Sequence, residues 1–244
     1  MKNLLRLEFR RLSRTKCLYI SFGLAILMLI WLGSSAKALA DMYGVSLYSA
    51  TATMLSTELL IGATELSLFT TFLCVFVCIF VCEDYRQQTV KNILARGITR
   101  GQLYFGKLIS VLTATTIMYV CVLCAAFFMN LRALGNGNPV PWGMIFSHWG
   151  VQYVVTLAYM SLYYVIATVF RKSGASIATG LLLPIIAGIV LSLDAYDYWL
   201  GSLATELTYT DLETSRFWEC LWVPAIYIAA VLPAGYFYHK KADL

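Results

Sequence analysis

Three residues in the segment GQLYFGKL (101–108) have the types and spacing of a phosphate-binding loop. Gly101, Gly106 and Lys107 fit the first seven positions of the P-loop pattern G-x-x-x-x-G-K-[ST], in which backbone amides hold phosphates and the final hydroxyl binds Mg²⁺. Here Leu108 replaces that hydroxyl, large hydrophobic side chains fill the loop, and no strand is predicted before it. We therefore predict that this segment binds no nucleotide. Lys107 is expected to extend toward water from the boundary of a membrane helix.

The composition is that of a membrane protein. The chain has 244 residues, of which 60% are hydrophobic and 13% are charged, and soluble domains carry about 25% charged residues. Helices of about 20 residues cross a bilayer core, and five apolar stretches reach that length: Leu18–Ala36, Leu59–Cys82, Leu108–Asn130, His148–Phe170 and Trp218–Tyr238. A sixth, Ser176–Leu193, is shorter and contains Pro184 and Gly188. The sequence predicts an all-α integral membrane protein with six transmembrane helices.

The distribution of basic residues predicts the orientation of these helices. With both termini in the cytoplasm, only Lys37, Arg132 and Arg216 of the 18 basic residues lie outside. Basic residues favour the cytoplasmic side of a membrane, so we expect a multi-pass protein of the plasma membrane with cytoplasmic N- and C-termini. The net charge of +5 reflects this topology and attraction to anionic lipid. It gives no reason to expect nucleic acid as a partner.

The first 16 residues have the pattern of an amphipathic helix. At 100° per residue the apolar side chains share one side and the basic ones share the other. The apolar set is Leu4, Leu5, Phe9 and Leu12, and the basic set is Lys2, Arg6, Arg10 and Arg14. This pattern predicts a helix over residues 1–16 that lies among lipid headgroups. The alternative is that the segment simply extends the first transmembrane helix.

A row of cysteines in the second apolar stretch has two interpretations. Cys74, Cys78 and Cys82 recur every four residues and therefore share one face of a helix. Thiolates bind soft metals, but no His or carboxylate completes a coordination set here. Free cysteines also pack as small hydrophobic residues. We expect packing and predict no metal site.

The longest predicted cytoplasmic segment, residues 83–107, is called the elbow below. Val90, Ile93 and Leu94 form a small apolar face at i, i+3 and i+4, among basic residues. A membrane protein on its own would have little reason to expose such a face. The pattern therefore indicates a binding site for a cytoplasmic partner.

The second half of the elbow contains helix stop and start signals. Gly97 is placed to end a short helix. Thr99 and Gln102 have the spacing of a capping box and would begin the helix that becomes the third span. These signals predict a helix–turn–helix at the membrane surface.

The segment between the last two spans is acidic and rich in aromatic residues. Its aromatic residues form two groups that suit a membrane interface, Tyr196, Tyr198 and Trp199 and then Phe217 and Trp218. Because the fifth span is short, we predict that residues 194–217 form a re-entrant extracellular element. Glu58 and Glu65, on one face at the outer end of the second span, are candidates for function or for contact with water at the interface.

The elbow resembles the coupling segment of permeases in the type-2 exporter family of ATP-binding-cassette transporters. The pattern is a carboxylate at the inner end of the second span, a short helix, a turn, a Thr-Arg pair and a Gly-Lys. The matching residues are Glu83, Thr89, Lys91, Leu94, Thr99, Arg100, Gly106 and Lys107. Two departures are Gln88, where the family has Gly, and Gly97–Ile98, where a Pro-containing turn is common.

The resemblance implies that residues 1–244 form a single permease domain driven by a separate ATPase subunit. That subunit would dock on Glu83, Arg86, Thr89, Val90, Lys91, Ile93, Leu94, Arg96, Thr99 and Arg100. ATP and Mg²⁺ would bind to the ATPase, so this chain needs no cofactor of its own. Two copies of the permease, as a homodimer, and two ATPases would form the working unit. Glu83 is expected to pair with Arg86 or Arg100.

Small permeases of this shape resemble those that export antimicrobial, bacteriocin-like or toxin peptides. The acidic and aromatic outer surface suits amphipathic or cationic peptides, and the short external segments do not suit polysaccharide export. The expected side chains along the substrate path are Glu58, Glu65, Tyr119 and Phe127.

Three other classes of function are alternatives to a transporter subunit. An intramembrane enzyme needs clustered His, Asp, Glu or Ser, but His148 and His239 lie near span ends without a neighbouring acid. An ion-coupled transporter needs charges within its spans, which are almost absent. A non-transporting scaffold or sensor that docks a cytoplasmic partner would also use the exposed face of the elbow, so it stays open.

Overall fold

A computed structural model describes residues 2–27, 68–87, 89–95, 97–134, 142–190, 199–200, 203 and 217–241. Within these residues the regular structure is helical, which agrees with the predicted all-α fold. The helices are α1 (Lys2–Arg14), α2 (Lys16–Leu27), α3 (Leu68–Arg86), α4 (Thr89–Ala95), α5 (Arg100–Leu134), α6 (Trp142–Phe170), α7 (Ser173–Val190) and α8 (Phe217–Lys241).

Three segments of the described chain are long and apolar enough to cross a membrane. They are Arg100–Ala125, Trp149–Phe170 and Phe217–Lys241. Lys16–Leu27 and Ser173–Pro184 are shorter apolar helices. The six-span count stays a prediction, since much of the first two predicted spans lies outside the described residues.

Several helix ends meet at one end of the bundle. Near the end of α3, the Tyr85 hydroxyl lies 3.3 Å from Nδ1 of His239 in α8. The Cys82 thiol lies 3.5 Å from the Ser176 hydroxyl at the start of α7. Arg171, directly after α6, lies over the Tyr85 ring at 5.6 Å. Thus α3, α6 and α8 end, and α7 begins, at what we call the elbow end of the bundle.

The core forms around α6, which contacts α3, α5, α7 and α8. The cysteine row of α3 is buried in this core. The Cys82 thiol donates to the Ala167 carbonyl of α6 at 3.6 Å, and a Cβ added at Gly180 of α7 would lie 2.6 Å from the Cys74 sulfur. Small side chains therefore let α3, α6 and α7 approach closely, as is common between membrane helices.

Aromatic rings from three helices pack together at the elbow end. The Tyr104 ring of α5 lies 5.1 Å from Tyr164 of α6, and 5.8 Å and 5.7 Å from Tyr236 and His239 of α8. The Tyr104 hydroxyl donates to the Leu232 carbonyl at 2.9 Å. The contacts with Tyr164 and Tyr236 are edge-to-face and add to the stabilisation from burial. They fix the start of α5 against the ends of α6 and α8.

Gly235→Ala is expected to lower the free energy of unfolding by about 1–3 kcal/mol because it overpacks the α6–α8 contact. A Cβ at Gly235 would lie 2.5 Å from the Val165 Cγ2 and 2.9 Å from the Tyr104 hydroxyl oxygen. Gly150→Ala is the matched control, since a Cβ there meets nothing within 4 Å. Thermal unfolding of the three proteins in detergent measures the difference. Equal unfolding temperatures for both variants would contradict this packing.

Part of the predicted re-entrant segment, residues 194–217, is described. Trp199, Leu200 and Leu203 are buried, and the Trp199 ring lies 6.3 Å from the ring of Tyr227 in α8. The described residues of this segment therefore pack on the bundle. The path of the remaining residues, and hence the re-entrant element, stays a prediction.

Candidate functional site

A buried carboxylate, Asp84, connects the elbow to two other helices. It lies in the last turn of α3 with 3% of its surface exposed. Lys107 of α5 and Arg11 of α1 both form ion pairs with it. The Thr89 hydroxyl, at the start of α4, lies 3.1 Å from the Asp84 carbonyl oxygen and 3.3 Å from its Oδ1. One side chain thus joins α1, α3, α4 and α5.

Lys107 is buried, so the prediction that it extends to water is wrong. It is 6% exposed, its ammonium also donates to the Val81 carbonyl at 3.3 Å, and it lies 5.3 Å from the centre of the Phe80 ring. Asp84 supplies the negative charge that makes this burial possible. The surrounding segment 101–108 is part of the continuous helix α5 rather than a loop.

The N-terminal helix joins this group of charges. The Arg11 guanidinium lies 3.9 Å from the Glu8 carboxylate one turn earlier. Glu8 is 1% exposed, and neither of its carboxylate oxygens has a hydrogen-bond partner in the described structure. The group thus contains two acidic and two basic side chains, whose formal charges cancel. We call Glu8, Arg11, Asp84 and Lys107 the buried charge cluster.

The orientation of α1 differs from the amphipathic prediction in one respect. The helix ends at Arg14 rather than at residue 16, and it packs on α5. Glu8 and Leu12 face the protein, whereas Phe9 and Leu7 are exposed. The face of α1 that contacts the protein is therefore rotated from the apolar face that the sequence pattern predicts. The reason is that Glu8 and Arg11 are attracted to charged residues of α3 and α5.

Glu83 lies outside the buried charge cluster although it is adjacent to Asp84. It accepts a hydrogen bond of 2.8 Å from Arg86, so its expected pairing with Arg86 is present. This hydrogen bond lowers the pKa of the Glu83 carboxyl below its ordinary value. The sequence contained a signal for the correct carboxylate, since Asp84 continues the buried i, i+4 row of Phe76 and Phe80.

The turn and the capping box of the elbow are confirmed. Gly97 has a φ of 84°, which favours glycine, and its amide donates to the Leu94 carbonyl at 3.0 Å. The Thr99 amide donates to the Gln102 side chain at 3.2 Å, and the Gln102 amide donates to the Thr99 hydroxyl at 3.3 Å. These reciprocal bonds begin α5, which starts at Arg100.

The apolar face of the elbow is only partly exposed. Val90 is 4% exposed, so the expectation that it contributes to an open docking face is wrong. Ile93 and Leu94 are half-buried. The reason is that α4 packs on α3, to which Thr89 and Asp84 tie its first turn. The exposed part of the face is therefore Ile93 and Leu94.

The other predicted site residues lie in different places. The Arg100 guanidinium donates to the Lys240 carbonyl of α8 at 3.0 Å. The side chain of Lys91 and all of Arg96 lie outside the described residues, as do Glu58, Glu65 and the side chain of Phe127.

Tyr119, a predicted substrate-path residue, is buried between helices. Its hydroxyl donates to the Trp149 carbonyl of α6 at 2.8 Å. Its ring lies 5.3 Å from Tyr153 of α6 and 6.3 Å from Phe69 of α3. In this arrangement Tyr119 holds α5 against α6, and its place on a substrate path stays a prediction.

The residues of the buried charge cluster are arranged to connect helices rather than to carry out bond-making chemistry. The buried charge cluster couples helix positions, since breaking one pair leaves a charge without its partner. Residues 4–190, which include the elbow and all four cluster residues, match the family model described as an ABC-2 family transporter protein. The chain belongs to the ABC-2 transporter family. No curated protein and no solved structure matched the chain.

Membership of the ABC-2 family gives the chain a general role. It is a permease subunit, the membrane-spanning part of an ABC transporter, and the family implies an ABC ATPase as its partner.

Proposed function

We propose that this ABC-2 permease is the membrane subunit of an ATP-driven exporter and that its ATPase subunit docks on the elbow. The observation that carries the proposal is the position of α4. It is a seven-residue helix between α3 and α5, anchored on its inner side by Val90 and Thr89. Its outer side chains, Ile93 and Leu94, remain accessible to a groove on a partner.

The buried charge cluster would transmit movement of the docked ATPase. Closure of the ATPase would shift α4, and the Thr89–Asp84 contacts would pass that shift to the end of α3. Lys107 and Arg11 would carry it on to α5 and α1. Side-chain networks with paired charges move as units because separating a buried pair is costly.

This proposal places the elbow end in the cytoplasm, as the basic residues predict. The membrane is the plasma membrane, and both termini face the cytoplasm. ATP and Mg²⁺ bind to the ATPase subunit. One six-span chain supplies half of a pathway, so the working unit has two copies of this permease and two ATPases.

Co-purification tests this function. The chain, tagged and expressed with its neighbouring genes, is expected to retain an ATPase subunit in mild detergent, and the purified complex is expected to hydrolyse ATP. A well-folded permease that retains no ATPase would overturn the proposal in favour of a scaffold or sensor subunit. Cross-linking of the permease to itself separately tests the homodimer, and a single copy per complex would contradict it.

The proposed substrate is an amphipathic or antimicrobial peptide, such as a peptide toxin. Residues 194–219 contain six acidic residues and one basic residue, with aromatic residues at both ends. Cationic amphipathic peptides complement such a surface in charge and in polarity. The resistance of cells to a panel of cationic and neutral peptides, with and without the transporter, tests this substrate class.

Glu58→Gln with Glu65→Gln is expected to reduce export of a cationic peptide about 10-fold or more, because two negative charges would be lost from its path. The measurements are peptide export and the peptide-stimulated part of the ATPase activity. Basal ATPase activity serves as the control for assembly. Unchanged export by an assembled complex would rule out these two residues as path residues.

A further inference from the structure

A groove at the elbow end lies between the N-terminal helices and α3. Its volume is about 610 Å³. Residues of α1 and the start of α2 form one wall, and the last two turns of α3 form the other. Because Thr15 and Lys16 lie where α1 gives way to α2, the groove sits at the bend between a surface helix and a membrane-entering helix.

Basic side chains dominate this groove. Five basic and three acidic residues line it. The acids already have partners, since Arg11 pairs with Asp84 and Glu8, and Arg86 pairs with Glu83. The remaining basic residues are Arg10, Arg14 and Lys16, which are exposed and make no ion pair within the described part of the chain.

The same groove has an apolar side, and α2, whose first residues belong to the groove, exposes apolar side chains. Leu7, Ile79 and Phe80 line the groove. Beyond it, Tyr19 and Ile20 of α2 are each 60% exposed. A ligand that fits this surface needs a negative charge at one end and a long apolar part at the other.

Glu8, on the inner wall, restricts the kind of ligand that fits the groove. It is one of the residues that line the groove, and its side chain is buried. Its ion pair with Arg11 spans 3.9 Å, and neither carboxylate oxygen accepts a hydrogen bond in the described structure. A buried carboxylate without donors is unfavourable, because its lost hydration is not replaced. Hydroxyl groups on a ligand would satisfy it, whereas a second carboxylate would repel it.

We propose that this groove binds the headgroup of an anionic phospholipid whose headgroup carries hydroxyl groups, as phosphatidylglycerol does. Arg10, Arg14 and Lys16 hold the phosphodiester, and the headgroup hydroxyls donate to Glu8. The acyl chains lie along Phe80, Ile79 and the exposed face of α2. This site does not depend on the docking of an ATPase, because all of its residues belong to the permease.

Lipid binding to the full chain tests this site directly. In detergent, retention of phosphatidylglycerol and of phosphatidylcholine is compared by native mass spectrometry or with fluorescent lipids. Arg10→Gln, Arg14→Gln and Lys16→Gln together are expected to reduce phosphatidylglycerol binding about 10- to 100-fold. The matched control is Arg6→Gln, Lys240→Gln and Lys241→Gln, which removes the same charge outside the groove.

Two further measurements separate a headgroup site from general attraction to anionic surfaces. Glu8→Ala is expected to remove the preference for phosphatidylglycerol over phosphatidic acid. Soluble glycerophosphoglycerol is expected not to displace the lipid at equal concentration, because it lacks acyl chains. Equal losses for the two triple variants, equal binding of phosphatidylcholine, or displacement by the soluble headgroup would each overturn the proposal.

Discussion

Asp84→Asn is expected to lower the free energy of unfolding of this permease by about 3–5 kcal/mol, the usual cost of removing one partner from a buried ion pair. The amide keeps the shape of the side chain but leaves Lys107 buried without a counter-charge. Of its two ion pairs, Arg11 would retain the one with Glu8, at 3.9 Å. Thermal unfolding in detergent measures the loss of stability, and export of the proposed peptide substrate measures the loss of coupling.

Glu83→Gln is the matched control for this variant. It removes the adjacent carboxylate, whose partner Arg86 is exposed, and such surface pairs contribute about 0–1 kcal/mol. A second variant, Asp84→Asn with Lys107→Met, removes both charges of the main pair and is expected to recover most of the stability. Equal stability of Asp84→Asn and Glu83→Gln would show that the buried charge cluster does not hold the elbow.

Ile93→Asp with Leu94→Asp is expected to weaken ATPase binding by about 100-fold or more, because a carboxylate cannot enter an apolar groove without losing its hydration. The two side chains are half-exposed, so the permease itself should fold and insert as the wild type does. Co-purification of the ATPase, at matched amounts of permease, measures the effect.

The matched control adds the same charge to another exposed segment at the elbow end. Ser173→Asp with Gly174→Asp places two acids on the exposed first turn of α7, and it is expected to retain the ATPase. Val90→Asp provides a further distinction. Because Val90 is buried, this variant should destabilise the permease itself. Equal retention by the Ile93/Leu94 variant and by its control would overturn docking at this face.

The sequence determined the general organisation of this protein because local signals are strong in membrane helices. Long apolar stretches specify helices, since each backbone group in lipid must be hydrogen-bonded within its own segment. Gly97 and the Thr99–Gln102 pair act within a few residues, so their roles in ending α4 and beginning α5 were predictable. The elbow was recognisable for the same reason, and its likeness to the ABC-2 family agreed with the family match.

Only the tertiary structure decided which charged residues are buried. Glu83 and Asp84 are adjacent and chemically alike, but successive residues on a helix point about 100° apart. Asp84 therefore faces α1 and α5, and Glu83 does not. The burial of Lys107 depends on a carboxylate 23 residues earlier in the chain, and that of Glu8 depends on helices far from it in sequence. Val90 is likewise buried because α4 packs on α3. Helix rotation and contact between distant segments set these outcomes. The i, i+4 spacing of Phe76, Phe80 and Asp84 places Asp84 on the apolar face of α3, but it does not specify the partners of this carboxylate.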